Sequence, residues 1–236
     1  LQSPDSGFTP DEAVWVALTE LLNTPIQHAS GALMVVEAYA NDTGGHRSEA
    51  VKHYVRQRRV RRPMAISGAT SNNAPILSKG KPSDVTWRDR TDKRGVMTYQ
   101  VGTVAAKHWL YGRLSTDAEK DPEHRLTHFS DQLEPAFFVG LVSETYNPAK
   151  NRFEARRGAR NEPLDTWVYA YAAAHHPELR LHRRTRADWE RAAARLGVKA
   201  PALPLPPETA QVKTENSAPP TPTIAGRRAR FTVRKV

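Results

Sequence analysis

Short apolar runs of strand length alternate with amphipathic helical segments along most of this chain. The strand-like runs lie at residues 33–40, 62–67, 96–101 and 126–129. Such alternation is typical of an α/β domain, in which helices cover the faces of a sheet. The pattern leaves the order of the strands within the sheet open.

The helical segments have periodic apolar faces and recognisable ends, and they lie at residues 9–22, 47–58, 105–114, 131–142, 161–174 and 185–196. The last helix is expected to be capped by Thr185 and ended by Gly197. Residues 68–92 are predicted to form a long polar loop, which is unusual inside a compact domain. Residues 144–147 and 152–156 are predicted to pair as a hairpin.

The composition points to a polyanionic partner. The chain of 236 residues carries a formal net charge of +10, which favours a nucleic acid as partner but also suits a merely solvated basic surface. The absence of cysteine excludes disulfides and thiolate zinc sites. No apolar run reaches the roughly 20 residues that cross a bilayer. Since the chain begins at Leu1 without a signal segment, we expect a fragment of a longer protein.

The composition changes at residue 198, where prolines begin to alternate with polar residues up to a basic C-terminal run. This predicts one domain at residues 1–197 and a disordered basic tail at residues 198–236. The tail has two interpretations, a solubilising end and a segment that docks a partner.

Asp42 lies where the first strand-like run ends, in the sequence NDTGGH that finishes at His46. One interpretation is a turn between a strand and a helix, which Asp and Gly both favour. The other is functional, because ligands in open α/β sheets bind at the carboxyl ends of strands. The two glycines would then let a phosphate or a metal ion approach the backbone closely.

Glu162 and Asp165 lie three residues apart at the start of a helical segment, and therefore on one face of its first turn. Acids at this position also stabilise a helix N-terminus, with Asn161 as the cap. Paired acids in a basic chain suggest two divalent ions that act on nucleic-acid phosphates. We therefore expect Asp42 and Asp165 to meet in the fold, although a third acid is not identifiable from the sequence.

Basic residues come directly before these acids, at residues 150–160, and a second basic run lies at residues 56–62. Such runs are often only solvated surface, but beside a metal site they would hold the phosphate backbone of DNA. The predicted DNA contacts are basic side chains near the motifs: Arg156, Arg157, Arg160, His46, Lys107 and Arg113.

Other chemistries have little support in the sequence. A phosphate-binding P-loop requires GxxxxGK[ST], which the residues around Gly80 and Lys81 do not satisfy, so no ATP site is predicted. His124 and His128 have helical spacing but lie in a strand-like run, which disfavours a zinc site. We assign core packing rather than base stacking to the aromatic residues Trp109, Trp167, Tyr169 and Tyr171.

Five groups of residues, taken in order, resemble a known family. They are ASG at residues 29–31, DTGGH at 42–46, VGT and AK at 101–107, LYGRL at 110–114, and RNE, LD and VYA at 160–170. Together they look like the nuclease half of the large terminase subunit of tailed phages, of the lambda-like type. The resemblance covers roughly residues 1–174.

The resemblance implies an RNase H-like fold and a metal-dependent endonuclease that uses two Mg²⁺ or Mn²⁺ ions. It would cut concatemeric double-stranded viral DNA during packaging, in the cytoplasm of a bacterial host. The family's metal-ligating acids correspond to Asp42 and Asp165, and Glu162 is implied as a further catalytic residue. The implied protein partners are the small terminase subunit and the capsid portal.

The chain also departs from the family's pattern. The family's first catalytic aspartate lies upstream of these residues, as does its ATPase, so we expect the fold to lack its first strand or strands. Val104, Pro163 and Ser67 stand where the family commonly has aspartate, alanine and lysine. Two alternatives therefore stay open: a non-catalytic DNA-binding or docking fragment of the same protein, and a resolvase-like nuclease of the same fold.

Overall fold

Helices and strands alternate through the described part of the chain, which is residues 10–28, 30–117 and 127–197 of this computed structural model. The strands are β1 (Ile26–Gln27), β2 (Leu33–Met34), β3 (Tyr39–Asp42), β4 (Pro63–Gly68), β5 (Lys81–Trp87), β6 (Arg90–Val101), β7 (Glu144–Asn147) and β8 (Arg152–Ala155). The helices are α1 (Pro10–Asn23), α2 (Ser48–Gln57), α3 (Thr103–Asp117), α4 (Pro135–Leu141), α5 (Glu162–Ala174) and α6 (Arg186–Arg195), with a 3-10 turn at Leu181–Arg183.

The central sheet has four strands in the order β3-β4-β6-β5. Strands β3, β4 and β6 run parallel, whereas β5 is antiparallel to β6. The parallel strands therefore bring their carboxyl ends to one edge of the sheet. At that edge Asp42, the last residue of β3, pairs in register with Ile66 of β4.

Apolar side chains cover both faces of this sheet, because successive residues of a strand point to opposite sides. One face packs against α3, α4 and α5 through Met64, Ile66, Leu110, Leu141, Leu164 and Val168. The other face packs against α2 through Val51, Val55, Ala65, Val85 and Val96. Each fully buried side chain of this size contributes about 1.5–3 kcal/mol, and together they fix α5 beside β3.

The mixed α/β architecture confirms the fold class at that level, and the hairpin of β7 and β8 confirms the predicted pairing. The end signals of the last helix are confirmed as well. Thr185 accepts a hydrogen bond from the backbone N–H of Asp188, and Gly197 follows α6 with a φ of 67°. The predicted tail at residues 198–236 lies outside the described residues.

The first predicted strand is wrong in its extent. Residues 33–40 do not form one buried strand, because β2 spans two residues, pairs with β1 and leaves Leu33 64% exposed. The strand of the central sheet begins at Tyr39, where Pro63 of β4 is its first partner. The apolar composition of residues 33–38 indicated a buried strand, but only residues 39–42 of this region pair with β4.

The predicted polar loop at residues 68–92 is also wrong in part. It contains β5 and the start of β6, which form an antiparallel hairpin. Only Val85 of β5 is buried, so the sequence of this strand lacks the alternation that would reveal it. Its conformation depends on pairing with β6.

Two smaller predictions also differ from the structure. Helix α4 spans Pro135–Leu141 and is shorter than predicted. Of the strand predicted at residues 126–129, residues 127–129 form no regular element, and residue 126 lies outside the described part of the chain.

Strand β6 passes into α3 through a tightly packed glycine. The backbone N–H of Gly102 donates to the carbonyl oxygens of Pro75 at 3.0 Å and Ile76 at 3.2 Å. A Cβ atom at this position would collide with the carbonyl oxygen of Ala74, so only glycine allows this approach. The contact fixes the start of α3, the helix that carries Lys107.

None of the helices in the described part of the chain combines the length and the apolar content that crossing a bilayer requires.

Candidate active site

An open cleft of about 550 Å³ lies between β3, with the residues just before it, and α5. Asp42, Glu162, Asp165 and Tyr169 all line it. The two acids predicted to meet, which lie more than a hundred residues apart in the sequence, therefore share one cavity.

The turn that follows β3 holds Asp42. The backbone N–H of Gly44 donates to Asp42 Oδ1 at 2.8 Å. Thr43 fastens the turn to β4, because both its backbone N–H and its hydroxyl donate to the carbonyl oxygen of Ile66, at 2.7 and 2.8 Å. The carboxylate of Asp42 is thus oriented at the mouth of the cleft while remaining exposed.

Asp165 lies on the first turn of α5 and is held by Asn161. The side-chain amide of Asn161 donates to Asp165 Oδ2 and to Glu144 Oε1, each at 3.1 Å. Asn161 does occupy the N-cap position, but its side chain makes no capping hydrogen bond. The predicted capping role of this side chain is therefore wrong, because the amide joins two carboxylates instead.

A third carboxylate, Glu144 of β7, lies behind Asp165. Its Oε2 is 2.7 Å from Lys107 Nζ, and the side chains of Lys107 and Glu144 are only 9% and 6% exposed. The same ammonium lies 3.7 Å from Asp165 Oδ1. Lys107 thus contacts the inner side of the acidic group and is enclosed there.

Tyr169 lies one turn after Asp165 on α5 and reaches across the cleft. Its hydroxyl donates to Asp42 Oδ2 at 3.4 Å, which is long for a hydrogen bond. Burial, and next the negative charges of Asp42 and Asp165, raise the pKa of Tyr169 above its usual value. The hydroxyl therefore stays protonated and is a donor at any physiological pH.

The acids of the site carry uncompensated negative charge. Burial raises the pKa of Asp165, and the charges of Glu144 and Asp42 add to the rise, whereas Lys107 opposes it. The net rise in the pKa of Asp165 means that its ionised form is disfavoured in the absence of a bound cation. A cation bound in the cleft would reverse that preference.

The donor set suits a magnesium-like ion in part. Mg²⁺ prefers oxygen ligands, and proteins often supply only one or two carboxylates, with water and substrate phosphate completing the shell. Asp42 and Asp165 meet that requirement. Among the described residues, however, no group of three or more His, Asp or Glu side chains has the arrangement of a metal site. The structure therefore offers a pair of ligands and not an all-protein cage.

A family model described as the endonuclease domain of the terminase large subunit gpA matches residues 6–189 of the chain. The chain belongs to this family. The match extends across the whole cleft, from Asp42 on β3 to the last turn of α5.

Two phage proteins are similar to this terminase domain. The terminase large subunit of Enterobacteria phage P21 is 27% identical over 179 residues, which cover 71% of this chain and 26% of the relative. The terminase large subunit of Escherichia phage lambda is 27% identical over 176 residues, with the same shares. The chain thus spans about a quarter of the length of these relatives. No solved structure matches it.

Most of the predicted basic contacts of the terminase domain lie on its surface. Arg156 and Arg157 are exposed after β8, and Arg160 is 89% exposed beside Glu162, with 3.5 Å between Nε and Oε1. His46 is exposed directly after the Asp42 turn. A basic rim therefore lies near the start of α5 in sequence and in space.

Two of the predicted DNA contacts, Lys107 and Arg113, are not exposed on the surface. Lys107 is buried against Glu144, so its ammonium cannot serve as a surface contact for phosphates. This corrects the prediction: Lys107 lies on the buried face of α3 with Val104, Ala106 and Leu110, and not on the surface of the helix. Arg113 is half-buried, with its guanidinium 5.1 Å from the centre of the Trp109 ring.

Sequence reasoning missed Glu144 and Tyr169 as members of the site of this terminase domain, and it gave Asn161 only a capping role. Tyr169 and Asn161 lie four residues after and four residues before Asp165, so helical spacing could have placed them beside it. Glu144 gave no such signal, because only the tertiary fold brings β7 behind α5.

Proposed function

We propose that this chain is a metal-dependent endonuclease module of RNase H-like type that cuts double-stranded DNA for a packaging terminase. The observation that carries the proposal is the shared cleft, in which Asp42 and Asp165 approach from two distant motifs and Tyr169 links them. The family membership of the chain supports the same reaction class.

Asp42 and Asp165 would hold Mg²⁺ or Mn²⁺ in this site. A bound ion of this kind activates water and stabilises the leaving oxygen in phosphodiester hydrolysis. The chain's own residues prepare that site: Gly44 and Tyr169 orient Asp42, while Asn161 orients Asp165. Glu162, exposed at the rim of the cleft, would be a further catalytic residue.

Exposed arginines would hold the DNA backbone next to the cleft. Arg156, Arg157 and Arg160 precede α5 directly and carry their charge on the surface. Phosphate contacts of this type fix the position of a duplex without reading its sequence. His46 is exposed four residues after Asp42 and would also contact the DNA backbone.

In the full-length protein this module would cut concatemeric viral DNA at the start and the end of packaging, in the cytoplasm of the bacterial host. Its partners would be the small terminase subunit and the capsid portal. These proposals rest on the identity of the relatives as terminase large subunits, of which the chain spans about a quarter.

A plasmid-cleavage assay with Mg²⁺ or Mn²⁺ tests the proposal. We expect Asp42→Asn and Asp165→Asn each to lower the cleavage rate by about a hundredfold or more, the scale on which a group stabilising developing charge acts. Asp131→Asn, in an exposed loop, is the matched control and should cleave like the parent. Parent rates in both cleft variants would refute the assignment. Tight DNA binding without cleavage under any ion would instead identify a docking fragment, and a preference for branched DNA a resolvase-like enzyme.

A further inference from the structure

Asp165 has two sides with different electrostatic surroundings. On the cleft side lies Asp42, linked to α5 through the Tyr169 hydroxyl. On the inner side lie Lys107, whose Nζ is 3.7 Å from Asp165 Oδ1, and Glu144 behind it. The buried ammonium of Lys107 thus separates Glu144, which is enclosed, from Asp42 and Asp165, which form an open pair.

Asp165 is 41% exposed and open to the cleft, although its Oδ2 accepts from Asn161, whereas Glu144 is only 6% exposed. Both carboxylate oxygens of Glu144 are already engaged in this enclosed position. Oε2 accepts from Lys107 Nζ at 2.7 Å, and Oε1 accepts from the side-chain amide of Asn161 at 3.1 Å. A second metal ion between Glu144 and Asp165 would have to displace the ammonium. That would leave a buried lysine without its partner, which is strongly unfavourable.

The formal charges of the site lead to the same result. Asp42, Asp165 and Glu144, together with the ammonium of Lys107, leave two negative charges, which one divalent ion balances. The charge of Glu162 at the rim of the cleft is offset by Arg160, with 3.5 Å between Oε1 and Nε. The two remaining negative charges lie on Asp42 and Asp165, since Lys107 Nζ is 2.7 Å from Glu144 and 3.7 Å from Asp165.

We infer that this site binds a single divalent ion, held by Asp42 and Asp165, and that the ammonium of Lys107 occupies the place of a second ion. The inference rests on the proposed function for the identity of the ion. It differs from the two ions that the sequence led us to expect, because the residues present do not fit the second one. Lys107 is therefore a positioning residue that supplies a fixed positive charge beside Asp165.

Counting bound Mn²⁺ by electron paramagnetic resonance tests this without any cleavage step. The chain is titrated with Mn²⁺ into the millimolar range, in the absence of DNA, and the signal of free Mn²⁺ is measured. We expect one bound ion per chain, which is lost in Asp165→Asn and in Asp42→Asn. Two bound ions per chain, or none, would overturn the inference.

Substitution of Lys107 provides a second, sharper test of the inference. Lys107→Met keeps the length of the side chain and removes its charge, so a second Mn²⁺ should now bind beside Glu144. Adding Glu144→Gln to that variant should return the count to one. A count of one in folded Lys107→Met would contradict the inference. If circular dichroism shows that Lys107→Met does not fold, the count for the parent chain and for Asp165→Asn decides.

Failure of this inference and failure of the proposed function give different results. One bound ion with no DNA cleavage refutes the nuclease proposal and leaves the ion count intact. Cleavage that depends on Asp42 and Asp165, together with two bound ions in the parent, refutes the single-ion inference and supports the nuclease proposal.

Discussion

The hydroxyl of Tyr169 on α5 meets the carboxylate of Asp42 on β3 at 3.4 Å, across 127 positions of the chain. The contact joins the helix that carries Asp165 to the turn that carries Asp42. Removing a group that orients a metal ligand from behind typically costs about 10–100-fold in metal affinity or activity.

Tyr169→Phe should therefore weaken metal-dependent cleavage while leaving the fold intact. We expect the Mn²⁺ concentration for half-maximal cleavage to rise by about tenfold, within the range seen for such outer contacts. The ring of Tyr169 is kept, so the melting temperature should change little. Tyr171→Phe on the same helix is the control, because its ring stacks on Trp109 away from the cleft. An unchanged Mn²⁺ requirement in Tyr169→Phe would remove Tyr169 from the site.

A methyl group added at Gly44 should disturb Asp42 directly. The Cβ of Gly44→Ala would lie 3.1 Å from Asp42 Oδ1 and 3.4 Å from Oδ2, which forces the carboxylate to move. A misplacement of about 1 Å can cost about a hundredfold in rate, so a shift of a few tenths of an ångström should lower the cleavage rate by several-fold. Gly45→Ala is the matched control, because its Cβ would meet nothing within 4 Å. Equal cleavage rates in the two variants would contradict the placement of Asp42.

Removing the charge of Asp165 should stabilise the metal-free protein. The folded-state pKa of Asp165 is raised, mainly by burial, so its contribution to stability is present at low pH and is lost as the pH rises through that pKa. With a chelator at neutral pH, Asp165→Asn should therefore melt at a higher temperature than the parent. The difference should vanish at a pH low enough to protonate Asp165 in both states. A lower melting temperature at neutral pH would show that Lys107 outweighs the cost of burial.

The exposed arginines should govern the salt dependence of DNA binding. If Arg156 and Arg157 each contact one phosphate, changing both to Gln should reduce the slope of log affinity against log salt by about 2. Fluorescence anisotropy in Ca²⁺, over a series of KCl concentrations, would measure it. Arg152→Gln serves as the control in the same hairpin, because its guanidinium is bound to Glu154 at 2.9 Å. A double variant with the parent's slope would exclude these arginines from the interface.

Local signals in the sequence predicted the parts of the site that depend on local structure. The start of α5, with Glu162 and Asp165 on its first turn, followed from helical spacing and proline placement. The end of β3 at Asp42 followed from the turn residues after it. Helix and turn preferences act over a few residues, so one sequence suffices to recognise them.

Apart from the meeting of Asp42 and Asp165, the parts that depend on long-range pairing could not be predicted. β5 is a strand because β6 lies beside it, although its own side chains are mostly exposed. The pairing of Lys107 with Glu144 joins residues 37 positions apart through the packing of α3 and β7. A lysine at a helix start is compatible with either a surface anion site or a buried ion pair, and only the tertiary fold decides between them.

The central claim, that Asp42 and Asp165 hold the same ion, is tested most directly by Mn²⁺ affinity. Calorimetric titration would compare the parent, Asp42→Asn, Asp165→Asn and the double variant. Asn keeps the side-chain shape in each case, including an acceptor for the N–H of Gly44. If the two carboxylates share one ion, each single variant should lose at least about tenfold in affinity, and the double variant should lose less than the product of the two. Parent affinity in either single variant, or losses that simply multiply, would contradict the account.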